Sequence, residues 1–203
     1  LSTLAFLIAL ATVMAATLGH TSTLGLVLVP LVAVLTGIAG AVGLAPTGEP
    51  IPFRNAWFVL HVIFALLGYA GLTVAFASGL MYLLQFRELK SKHFGAIFQF
   101  FPPLDTLDRF GRQSVAVGFP FLTLAIVLGW AWTMSFEGSV MPQATKLGWA
   151  ILSWLVLLIT LVARIGDGRK GERGALASVV GFVIVVVAYL VIKAQMAGQG
   201  AFL

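Results

Sequence analysis

Three features of the sequence predict an all-α, polytopic membrane fold. The chain is 60% hydrophobic and only 9% charged over 203 residues, with a mean hydropathy of +1.06, whereas soluble domains carry about 25% charged residues. Its apolar residues fall in runs near the roughly 20 residues a helix needs to cross a bilayer. They do not form the alternating segments of about 10 residues that build a transmembrane β-barrel. The charges gather between the runs. Together these predict one transmembrane helical domain over residues 1–203, with about six helices.

The predicted spans, in order, are Leu1–Leu18, Thr23–Leu44, Ala56–Phe86, Ser114–Phe136, Leu147–Ile165 and Gly174–Met196. Leu1–Leu18 has neither an initiating Met nor a basic n-region. It therefore reads as a span rather than a signal peptide, and the expectation is a chain that starts inside a longer protein. Ala56–Phe86 is long: about 31 residues give roughly 46 Å at 1.5 Å per residue. Such a helix must tilt or project into water. In Ser114–Phe136, Pro120 predicts a kink.

Lys and Arg set the expected orientation. Arg87, Lys90, Lys92, Arg109 and Arg112 follow the third span, and Arg164, Arg169, Lys170 and Arg173 follow the fifth, making nine of the 12 basic residues. The positive-inside rule makes loops 87–113 and 164–173 cytoplasmic in a cell (inner) membrane protein. The net charge of +5 thus reflects topology, and no nucleic-acid partner is expected. Within loop 87–113, Pro102-Pro103 stops an arriving helix and Asp105 is a candidate N-cap. A short interfacial helix is expected there, with Leu104, Leu107 and Phe110 toward the membrane and Asp108, Arg109 and Arg112 toward water.

Small residues recur at helical spacing: Gly71, Ala75 and Gly79, flanked by Gly68 and Ser78; Gly37, Gly40 and Gly43; Ala177 and Gly181. Such faces let helices approach closely. They describe packing, or a meeting with other membrane subunits, and do not specify chemistry.

Chemistry points first to His61, an ionisable group inside an apolar span. Histidine is the commonest metal ligand and a frequent axial ligand to haem iron. The alternative is a histidine that donates to a carbonyl of a neighbouring helix, or that simply snorkels to the interface. Trp57, four residues earlier, shares its helix face. With Trp130, Trp132, Trp149 and Trp154 it lies in the outer half under the expected topology. These tryptophans form either an interfacial belt or, at Trp57, Trp130 and Trp132, the wall of a pocket for a flat apolar ligand such as haem. His20 and His93 fall in or beside polar loops, on the opposite side from His61. Met196 is a further candidate axial ligand by residue type alone. All seven acids (Glu49, Glu88, Asp105, Asp108, Glu137, Asp167 and Glu172) lie in or beside loops, so no intramembrane proton relay is evident. There is no Cys, which excludes disulfides and thiolate sites. No enzyme motif is present, and a non-catalytic protein is expected.

Several linked motifs resemble a known family. Leu60-His61-Val62 precedes Ala65-Leu66-Leu67-Gly68-Tyr69-Ala70 and Gly79-Leu80-Met81-Tyr82-Leu83-Leu84-Gln85. Pro102-Pro103-Leu104-Asp105-Thr106-Leu107-Asp108-Arg109 and Val117-Gly118-Phe119-Pro120-Phe121-Leu122-Thr123-Leu124 follow in order. Over about Trp57–Trp132 this is similar to the cytochrome c assembly protein family, in its HemX/CcsA-type branch. The resemblance implies a multi-pass inner-membrane protein that binds or moves haem, or supports haem-protein assembly. It makes His61 one of a pair of outer-face histidines flanking haem. Two departures mark a divergent member. The Trp-rich signature is absent from Thr133–Gly148, and Gln195 and Gln199 occupy the region where the second outer histidine is expected. Two functions are therefore expected in competition: a haem-handling assembly protein, or an accessory subunit that anchors a larger membrane redox or photosynthetic complex. A small-solute transporter is less consistent with spans that lack charged groups.

Overall fold

The computed structural model describes residues 56–92, 101–136, 144–165 and 171–198, together with the single residue 33. They form four helices: α1 (Ala56–Ser91), α2 (Leu104–Phe136), α3 (Ala144–Ile165) and α4 (Gly171–Gly198). All four are long and apolar enough to cross a membrane, and no strand occurs among the described residues. The protein is thus a polytopic helical membrane protein. The first two expected spans lie outside the described residues, apart from Ala33, as do His20 and His93.

The helices extend beyond their apolar runs. α1 has 36 residues, about 54 Å at 1.5 Å per residue. Arg87, Glu88 and Lys90 continue it past Phe86, because straight-chain charged residues are good helix formers. It ends where Lys92 enters the left-handed region at φ 56° and donates its amide to the Leu89 carbonyl at 3.3 Å. Such a residue normally ends a helix.

α2 corrects the expectation for loop 87–113. The interfacial helix and the fourth span are one continuous helix of 33 residues with Pro120 inside it. Asp105 is not its cap. The first helical bond runs from the Leu107 amide to the Pro103 carbonyl at 3.1 Å, so Pro103 holds the capping position and Asp105 sits in the first turn. There its charge favours the positive end of the helix dipole. Nor does Leu107 face the membrane: it is completely buried. Asp108 turns inward as well, toward Arg164.

Sequential neighbours run antiparallel, and α4 returns beside α1. Gly68 abuts Leu122, and Gly71 abuts Ser114 and Gly118. A Cβ on Gly71 would stand 2.7 Å from the Ser114 carbonyl oxygen and 2.8 Å from the Gly118 Cα. Backbone therefore meets backbone, and no rotamer change relieves the clash. Gly79 makes the same approach to Ala175 of α4, and Gly181 of α4 receives Val156 of α3. The expected small-residue face of α1 is thus where two helices dock. Leu72, Ala75, Val115, Leu122, Val156, Leu157, Phe182 and Val185 form the core between them.

Several buried hydroxyls satisfy themselves locally. The hydroxyls of Thr73, Ser153, Thr160 and Ser178 donate to the carbonyl four residues earlier, at 2.8–2.9 Å. In lipid there is no water to do this, and the i−4 carbonyl is the nearest acceptor. The outward faces carry Val117, Ile151, Leu155, Ile159, Val162 and Val187, as lipid contact requires.

Candidate functional site

His61 lies in the second turn of α1, half-buried against α2. Its Nδ1 is 2.6 Å from the Ala125 carbonyl oxygen. A carbonyl only accepts, so Nδ1 carries the proton and donates. In the neutral ring, Nε2 then keeps the lone pair. Gly129, one turn beyond Ala125, makes room for the ring: a Cβ there would stand 2.7 Å from Cε1 and 2.8 Å from Nδ1, but 3.5 Å from Nε2. The alternative read from the sequence, donation to a neighbouring helix, is thus present, and it occupies one ring nitrogen.

The predicted tryptophans divide. Trp132 packs into the α1–α2 interface beside Phe58, ring centroids 5.6 Å apart, in the helix layer next to His61. Trp57 and Trp130 are 55% and 54% exposed, as a belt at the membrane boundary would be. Trp149 and Trp154 turn inward. Trp149 stacks on Tyr69 with centroids 5.0 Å apart, and the Trp154 indole donates to Thr123 Oγ1 at 2.9 Å. Both are partly buried and pack against the core.

For haem, the donor chemistry at His61 fits one axial position. An imidazole whose Nδ1–H is held by a backbone carbonyl is the usual form of a metal-ligating histidine. Among the described residues no second histidine joins it. Nor does any group of three or more His, Cys, Asp or Glu side chains come together to hold a metal.

A second polar centre, at the other end of the bundle, was read from sequence only as a topology signal. Arg164 closes α3, yet its side chain is 1% exposed. Its Nη1 donates to the carbonyl and to the Oδ1 of Asp108, at 3.2 and 3.3 Å. Its Nε and Nη2 donate to Ser178 Oγ at 3.0 and 2.8 Å. Gly111 and Gly174 press against the guanidinium and its stem, where a Cβ would collide. Arg112, one turn along α2, adds a looser ion pair to Asp108 at 3.7 Å. Three helices are thus joined through one cation. Sequence offered one clue: Asp108 and Gly111 lie three residues apart, so a small gap on α2 sits one turn from the carboxylate.

A family model described as Cytochrome C assembly protein matches residues 1–198. The cytochrome c biogenesis protein CcsA of Chlamydomonas reinhardtii is 31% identical over 137 residues, covering 68% of this chain and 38% of that relative. CcsA of Guillardia theta is 31% identical over 152 residues, covering 68% and 50%. CcsA of Synechococcus elongatus is 41% identical over 86 residues, covering 42% and 26%. The chain spans half or less of the length of these relatives. No solved structure gives a significant match. The family match runs through all four described helices, and the chain belongs to the cytochrome c assembly protein family.

Proposed function

We propose that this protein is a non-catalytic, haem-handling component of cytochrome c assembly, and that His61 meets haem iron through Nε2. The observation that carries the reading is the 2.6 Å contact of His61 Nδ1 with the Ala125 carbonyl, which leaves Nε2 as the ring's one lone pair. Relatives named as cytochrome c biogenesis proteins support the same process. Trp57, Trp130 and Trp132 supply flat apolar surface on the two helices that hold His61. Haem, when bound, would supply an iron centre able to accept the imidazole lone pair. This chain's part is to hold the imidazole ring against α2 and present its Nε2. We assign the Arg164 end to the cytoplasmic side of the inner membrane, because most Lys and Arg lie beside it, and hence His61 to the outer half. The test is an absorption spectrum of the purified full chain, with and without added haemin, for wild type and His61→Ala. Wild type acquires a Soret band with a defined maximum, and His61→Ala does not. A wild-type protein that stays haem-free defeats the reading.

One observation favours the second reading, an anchoring subunit of a larger membrane complex. Gln195 and Gln199 stand where the family resemblance expects a second histidine. Crosslinking in native membranes separates the two: a stable protein partner with no haem in the complex supports the anchor.

A further inference from the structure

We infer that the Ala125–Gly129 turn of α2 is the positioning element for His61: it selects the Nδ1–H tautomer and holds the ring so that Nε2 is presented. The tautomer and the ring position belong to the protein alone, and their value for haem rests on the reading above.

Three observations converge on this turn. First, Nδ1 lies 2.6 Å from the Ala125 carbonyl oxygen, just under the 2.7–3.2 Å usual for N–H···O bonds, so the two atoms are in direct hydrogen-bond contact. Along a continuous helix the Ala125 carbonyl also faces the Gly129 amide, so it serves two donors. The imidazole thus gains an acceptor without leaving a helical group orphaned. Second, the ring occupies the volume that any side chain at 129 would fill, approaching Gly129 through Cε1 and Nδ1 and leaving Nε2 the farthest of the three. Glycine is needed here for space: Gly129 lies inside a helix, where alanine is otherwise the preferred residue. Third, the turn is itself tied. Thr133 donates its hydroxyl to the Gly129 carbonyl at 2.9 Å, and Trp132 packs on Phe58 of α1, holding the two helices together beside the histidine.

A second imidazole tautomer has no such support. With the proton on Nε2, the lone pair of Nδ1 would face the lone pairs of the Ala125 oxygen at contact distance. Without haem, the fold therefore already selects the ring form that can coordinate iron through Nε2. Outer-shell partners of metal-bound histidines are commonly worth 10–100-fold in metal affinity, and Gly129→Ala is expected to lie in that range. Gly129 is a positioning residue, because it acts only through His61.

The experiment is ¹⁵N-histidine NMR of the haem-free full chain in detergent under alkaline conditions, with the His61 signals assigned by their loss in His61→Ala. Wild-type His61 shows one protonated nitrogen at Nδ1 and one bare nitrogen at Nε2. In Gly129→Ala that signature collapses toward the mixture typical of free imidazole, and haemin affinity falls about tenfold. A wild-type ring found protonated at Nε2, or a signature unchanged in Gly129→Ala, overturns the inference. Where Gly129→Ala does not fold, the wild-type ring still decides the tautomer: protonation at Nδ1 supports the inference and protonation at Nε2 overturns it. Failure of wild type to bind haemin would defeat the proposed function and leave the tautomer result standing, so the two failures are distinguishable.

Discussion

The two polar centres of this bundle are built on opposite plans. At one end Arg164 is almost wholly enclosed, with Nε and both terminal nitrogens engaged and Asp108 as counter-charge. At the other, His61 is half-buried, engages one nitrogen with a backbone carbonyl and keeps the other in reserve. A satisfied network in a low-dielectric interior fixes geometry and offers little to a ligand. A group satisfied on one side only has chemistry left over. This difference separates a structural clamp from a candidate ligand, although residue type and position made both look like functional signals.

Breaking the clamp gives the largest expected effect. Asp108→Leu strands a buried guanidinium. Loss of one partner of a buried pair commonly costs 3–5 kcal/mol, and because Asp108 is a quarter exposed the expected loss is about 3 kcal/mol. Chemical unfolding in detergent measures it. The double variant Asp108→Leu/Arg164→Met is expected to recover most of that loss, since it removes both charges together. A double variant as unstable as the single one would mean that the serine and carbonyl contacts, and not the charge pair, set the stability of this end. At the other end, His61→Ala should lower stability by only about 0.6 kcal/mol, a typical value for hydrogen bonds between membrane helices, while abolishing haem binding. A loss above about 2 kcal/mol would place His61 with the clamp. A small effect of the opposite sign is expected at the end of α1. Lys92 holds a left-handed conformation that costs an L-residue roughly 1 kcal/mol, so Lys92→Gly should raise stability by about that amount or less, seen as a higher unfolding midpoint.

The architecture was legible in the sequence because long apolar runs admit few structures in lipid. The small-residue faces were legible for a related reason: Gly71 and Gly79 permit contacts that larger residues forbid. Helix ends were less so. Hydropathy marks where a chain enters water and says nothing of where the helix stops, so α1 runs to Ser91 and not Phe86. The loop before the fourth span was misread at Asp108 and Leu107, because local amphipathicity places charges outward unless a distant partner calls them in. That partner, Arg164, is 56 residues away and looked like one more topology charge. At the candidate site, His61 was identifiable as an ionisable group within a span. Gly129 was not, since one glycine in an apolar helix carries no label until the ring that fills its place is known.

Pro120 gives α2 an uneven stiffness. Proline has no amide hydrogen, so the Ala116 carbonyl lacks its ordinary helical donor, and the rod is weakest near that one peptide. The arginine clamp grips α2 on one side of this point, at Asp108, and the histidine contact grips it on the other, at Ala125. Between these two grips, Gly71 and Gly68 of α1 lie against Gly118 and Leu122, so the neighbouring helix braces α2 across the peptide that lacks its own bond.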